Sequence, residues 1–345
     1  MNDKKKLFNY AIGNPPYQED TTESTRKRPI YNVFMNGVYP VADKVELITP
    51  ARFLFDAGQT PKDWNKQMLA DKHFKVLHYE SDATKIFPNT DIKGGVVISY
   101  RDATSTFDPI GIFTKSENLN HVLTKVRKHQ DESMENIVSA RGCYRLNDIF
   151  FSDFSDAASR VGKGTGNMIV SNIFDKIPEA FWDNVPDNRK YVKIIGREKN
   201  RRTVKFLDSR YVIDNGYINT YNVLISEANN TGEFGETLVE PQISMPGEGA
   251  TDTFISIGFF SSKIESLNTI KYLKSKFCRT MLGVKKATQH TAKAVWEFVP
   301  LQDFTAKSDI DWSKSIHEID LQLYRKYGLT ADEIKFIEDN VKEMT

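Results

Sequence analysis

The chain has 345 residues, enough for about two domains, and its 39% hydrophobic, 12% aromatic and 27% charged composition excludes a disordered protein. No apolar run reaches the roughly 18 residues of a membrane helix, and Met1-Asn2-Asp3-Lys4-Lys5-Lys6 leads into no signal-peptide core, so a cytoplasmic protein with no membrane partner is expected. The net charge of +1 hides strong segregation, and two cysteines, Cys143 and Cys278, exclude a disulfide framework and a zinc spacing.

In chain order, Leu7 to Ile12 is a short apolar run stopped by Gly13-Asn14-Pro15-Pro16, the pattern of a buried strand. Ile30 to Val41 has helical apolar spacing, Val45 to Ile48 is a second strand, and Lys62 to Ala70 is a helix. Phe74 to Tyr79 and Val96 to Tyr100 are further strands, rich in β-branched and aromatic residues. This β-α-β-α-β-β order predicts an α/β sheet. Beyond about residue 105 the pattern changes. Asn118 to Glu135 is a polar helix, followed by strands at Tyr191 to Ile195, Tyr211 to Ile213, Val223 to Ile225 and Phe254 to Phe260. Ile264 to Met281 is a basic amphipathic helix, and Ser315 to Tyr327 and Thr330 to Met344 form a helical pair, with Thr330 and Glu333 spaced as a capping box.

Nine cations lie between Arg189 and Arg210 against Glu198 and Asp208 alone, and no acid occurs from Ser266 to Trp296. A local basic field suits phosphate, although such a stretch is also the ordinary pattern of a solvated face. Arg189, Lys190, Lys193, Arg197, Lys199, Arg201 and Arg202, with Lys285, Lys286 and Gln289, are the candidate DNA contacts. Arginine can fork onto guanine, glutamine onto adenine, and lysine mostly meets phosphate. The six histidines are scattered without ligand spacing, so no metal site is expected. Asp91-Ile92-Lys93 carries a lysine near a carboxylate, without the second acid that a nuclease core needs.

The motif with chemical content is Asn14-Pro15-Pro16-Tyr17, directly after a strand where α/β sheets place their sites. The Asn14 side-chain oxygen and the Pro15 carbonyl can each accept a hydrogen bond from an exocyclic amino group. Two prolines hold that carbonyl in place, and Tyr17 offers a face for a flipped base. The plain alternative is a stiff turn, since Asn-Pro commonly starts one.

With Gly13, these residues resemble the catalytic motif of gamma-type N6-adenine DNA methyltransferases. Leu47 to Leu54 and Ile86 to Val96 resemble the family's following blocks, and the second of these would set Phe87 against the other face of the adenine. The likeness continues through Thr253–Gly258, Thr280–Gln289, Val299–Phe304, Asp309–Trp312 and Ile319–Glu338, which look like the tail of Eco57I-type restriction–modification methylases. It implies a partial Rossmann-like methyltransferase sheet over residues 1–105. A mixed α/β target recognition domain would follow over 106–305, and a helical segment over 306–345. It also implies transfer of a methyl group from S-adenosylmethionine to adenine in double-stranded DNA.

Family members place a strand and a glycine-rich cofactor loop before the catalytic motif, and only 13 residues precede Asn14 here. The glycines of Val161 to Gly166 follow no apolar strand, so they make a poor substitute. The expectation is therefore the second half of a methyltransferase domain joined to a recognition domain. It would be a fragment, a decayed remnant, or a split enzyme whose partner chain supplies the cofactor half. Weak binding of S-adenosylmethionine by the chain alone is expected. A non-catalytic DNA-recognition fragment is the alternative, and a methyltransferase acting on protein glutamine or RNA adenine is disfavoured by the long tail.

Overall fold

Apolar runs stopped by turn residues become the strands of the first of two compact units, Met1–Asn120 and His121–Thr345. The computed structural model describes residues 6–19, 28–55, 59–88, 90, 92, 94–114, 116–162, 164–229, 231–286 and 289–344. Over these residues the protein is mixed α/β, with several sheets and ten α-helices.

In the first unit the order is β1 (Phe8–Gly13), α1 (Tyr31–Val38), β2 (Ala42–Pro50), α2 (Lys62–Ala70), β3 (Phe74–Glu80) and β4 (Val96–Asp102). The helix expected to reach Val41 stops before Tyr39-Pro40, because proline cannot continue the helical ladder. The sheet runs β1-β2-β4-β3, with β1 parallel to β2 and β4 antiparallel to both its neighbours. The carboxyl ends of β1, β2 and β3 therefore share one edge with the start of β4.

One face of this sheet packs under α1 and α2. Phe53, fully buried, sits 5.2 Å from the Trp64 ring and 6.2 Å from both Tyr31 and Phe74. Val45, Leu47 and Val97 complete that core from the strands, each large side chain contributing about 1.5–3 kcal/mol by burial. The outermost strand, β1, is different. Its apolar run suggests a buried strand, but Phe8, Tyr10 and Ile12 are 58, 62 and 78% exposed, and among the described residues the strand pairs with β2 alone.

Helix α3 (Glu117–Lys128) crosses the unit boundary. It is shorter than the helix expected to Glu135: Gln130 takes a positive φ of 56°, and Met134–Ile137 is a separate 3-10 turn. The second unit continues with α4 (Asp148–Asp153), α5 (Ala157–Val161), α6 (Ile173–Lys176), β5 (Tyr191–Glu198), β6 (Arg201–Asp208), β7 (Tyr221–Ser226), β8 (Gln242–Ser244), β9 (Glu248–Ala250) and β10 (Phe254–Phe260). Its sheets run β6-β5-β9 and β10-β7-β8. The strand expected at Tyr211 to Ile213 is instead the end of a 3-10 turn, capped by the Asp208 carboxylate accepting from the Arg210 amide at 3.0 Å.

The single basic helix expected from Ile264 to Met281 is two, α7 (Lys263–Lys274) and α8 (Lys276–Gly283). Ser275 makes the break by leaving the helical region, and its hydroxyl accepts from the Cys278 amide at 3.1 Å. The last two helices, α9 (Ile316–Lys326) and α10 (Ala331–Asn340), both carry capping boxes, Ser315 with Glu318 and Thr330 with Glu333.

Asp320 of α9 is buried and accepts from the amides of Lys276 and Phe277, at 3.0 and 2.8 Å, at the start of α8. Burial outweighs those bonds and pushes its carboxyl up to about 6. A raised acid loses stability as pH rises, so Asp320 contributes most below pH about 4 and progressively less through pH 6. The stability of Asp320→Asn relative to the native chain should therefore rise between pH 4 and 7, measured by denaturant titration at each pH. A pH-independent difference would refute the assignment.

Candidate functional site

Because β1 ends at Gly13, Asn14 to Tyr17 emerge at the carboxyl edge of the sheet. Asn14 is exposed, and its side chain makes no hydrogen bond among the described residues, leaving the amide available. The chain is then held by short pairings: the Ile30 amide donates to the Tyr17 carbonyl at 3.2 Å and the Glu19 amide to the Arg28 carbonyl at 2.9 Å.

Phe87 arrives at the same edge from the loop between β3 and β4. Its ring lies 6.4 Å from that of Tyr17 at 72°, an edge-to-face pair joining residues 70 positions apart. Its amide donates to the Ala83 carbonyl at 2.8 Å. The loop closes on Gly95, whose φ is +78° and where a side chain would meet the Glu80 carbonyl at 2.3 Å, so only glycine fits. Tyr17 is half-buried, its hydroxyl has no hydrogen-bond partner among the described residues, and burial pushes the phenol up to about 12. A phenol held neutral presents an aromatic face without charge. Asp91 and Lys93, between Phe87 and Gly95, lie outside the described residues.

The glycines of the Val161–Gly166 segment follow helix α5 rather than a strand. This segment therefore lacks the order of strand, glycine turn and helix and does not fit the cofactor. Lys163 lies outside the described residues. No group of three metal-ligating side chains occurs among the described residues, and no described helix is long and apolar enough to cross a membrane.

The basic residues of the second unit separate into two sets. Arg189 pairs with Asp187 and Asp208, at 2.8 and 2.7 Å, and Lys193 pairs with Glu248 at 2.8 Å. Lys285 pairs with Glu297. Lys286 is buried against Glu236, which removes it from any surface that DNA could touch. Gln289 and Lys190 are exposed. The other set clusters where β5 and β6 form a hairpin. Its two-residue turn, Lys199-Asn200, has φ values of 45° and 67°, as a type I′ turn requires. Arg197, Lys199, Arg201 and Arg202 are all exposed at this tip, and among the described residues none of their side chains forms an ion pair. Sequence reasoning found these cations but not their hairpin, because the strand Arg201–Asp208 begins with two arginines where an apolar alternation would announce it.

Residues 1–87 match the family model described as Eco57I restriction-modification methylase. No curated protein matches the chain. Among solved structures, the type IIG restriction endonuclease BpuSI aligns at 11% identity and a TM-score of 0.35, over 92% of this chain and 48% of that one. The Type IIL restriction-modification enzyme MmeI, solved in complex with DNA, aligns at 9% identity and a TM-score of 0.34, over 96% and 56%. The chain thus spans about half the length of each. The family match covers the motif strand, the Asn14–Tyr17 turn and the loop as far as Phe87.

Proposed function

We propose that this chain carries the base-handling half of a site-specific DNA adenine-N6 methyltransferase of a restriction–modification system. The observation that carries the reading is the meeting of Tyr17 and Phe87, 6.4 Å apart, with Tyr17 three residues after an exposed Asn14 whose side chain makes no hydrogen bond among the described residues. The match of residues 1–87 to restriction–modification methylases supports it. In this account the Asn14 side-chain oxygen and the Pro15 carbonyl accept hydrogen bonds from the adenine amino group. They orient its nitrogen while Pro16 stiffens the turn, and Tyr17 and Phe87 hold the extruded ring. S-adenosylmethionine supplies the methyl group when bound.

The elements that bind the cofactor would dock along β1. Among the described residues that strand is an edge with no partner on its outer side, and it exposes Phe8, Tyr10 and Ile12. A partner chain carrying a cofactor-binding half suits this edge. The chain alone should then bind S-adenosylmethionine more weakly than micromolar in calorimetry, and a micromolar dissociation constant would refute the split arrangement.

The same edge gives weight to the second reading, a subunit that recognises duplex DNA without catalysing. In both readings Lys199 and Arg201, at the turn of the β5–β6 hairpin, meet phosphate. Removing one contact, in Arg201→Ala, should weaken duplex binding and reduce the slope of log affinity against log salt by about 1. An unchanged slope would take Arg201 off the DNA surface.

A further inference from the structure

The hairpin also forms one wall of a cavity of about 410 Å³, within the ordinary range of ligand sites. The type I′ turn fixes the register so that Arg197 stands directly opposite Arg202. Two like charges in that position repel, so the pairing costs stability unless an acceptor lies between or before them. Arg202 is held in place by stacking over the buried Phe254 ring, 4.8 Å from its centroid. Arg141, on the same lining, is already neutralised by Asp252 at 2.9 Å, which leaves the hairpin pair as the arginines of this lining without an ion pair among the described residues, Arg197 donating to the Asn200 carbonyl at 3.5 Å.

The same lining carries Glu227, whose side chain is only 11% exposed and whose carboxylate is fixed by His290 Nδ1 at 2.9 and 3.1 Å. A phosphate would find the arginines favourable and Glu227 repulsive. The major-groove edge of a G·C pair matches both, since guanine offers N7 and O6 as adjacent acceptors and cytosine then offers the N4 amino donor. A two-stranded ribbon such as β5–β6 is also an element the major groove admits.

We propose that this cavity reads a G·C pair, with the Arg197 fork on guanine N7 and O6, Arg202 beside it on its stack against Phe254, and Glu227 on the cytosine amino group. The assignment rests on the proposal that the second unit binds duplex DNA, and it names which residues give that binding sequence preference.

The test is selection of bound duplexes from a randomised pool, with the full chain and with two variants. Glu227→Gln puts an amide donor where an acceptor is required. Arg197→Lys keeps the charge at an exposed position that folding does not depend on, while losing the fork. The native chain should enrich a motif containing a G·C pair. Both variants should lose preference at one and the same G·C position by about tenfold or more, with preference at the other positions retained. Variants that select the native motif, or that lose preference at two unrelated positions, would overturn the assignment. A native chain that binds duplex but enriches no motif would also overturn it. A native chain that binds no duplex at any salt would instead remove the DNA reading of the unit, and this assignment with it.

Discussion

Replacing Asn14 by alanine should lower adenine methylation by the assembled enzyme by about 10²–10³-fold, the usual cost of losing one preorganised polar contact to the reacting group. The same change should leave stability within about 0.5 kcal/mol, because Asn14 is exposed and its side chain makes no hydrogen bond among the described residues. The two readouts separate chemistry from folding. Methylation that survives the substitution, or a large loss of stability accompanying its loss, would contradict the role assigned to this amide.

The second large effect is on stability. Phe53 is fully buried among the rings of Tyr31, Trp64 and Phe74, so Phe53→Ala leaves a cavity that neighbouring rings cannot close by a small shift. A cost of about 3–5 kcal/mol is expected. Trp64, the only tryptophan before residue 120, packs against Phe53 and supplies the fluorescence probe for denaturant titration of this unit. A loss under 1 kcal/mol would mean that the first unit does not depend on this aromatic cluster. Because Phe53 sits just past the end of β2, at the sheet edge that bears Asn14, the loss should also reduce methylation in proportion to the unfolded fraction.

The order of the first unit was legible because its strands are short apolar runs with its helices between them, although β1, read as a buried strand, is exposed. Lys62 to Ala70 and the strand at Phe254 were found at their observed limits. Failures came where local chemistry departs from those signals. Arg201–Asp208 is a strand that opens on charge, Ser275 breaks a helix that the apolar spacing alone would continue, and Asp208 converts an expected strand into a capped turn.

The candidate site divides in the same way. Asn14 to Tyr17 is contiguous and readable directly, whereas Phe87 lies 70 residues from Tyr17 and was reached only through the family resemblance. Lys286 shows the opposite limit: sequence gives it a charge among other charges, while its burial against Glu236 follows from packing that no local pattern encodes. Glu227 and Arg141 were missed because each is an isolated charge, brought to the hairpin cavity by the sheets.

The most direct test of the central claim is nucleoside mass spectrometry of duplex DNA methylated by the native assembly that contains this chain, beside the same assembly carrying Asn14→Ala. The account predicts N6-methyladenine with the native chain and its near-complete loss in the variant. Methylated cytosine in its place, no methylated base at all, or equal N6-methyladenine from both proteins would contradict it.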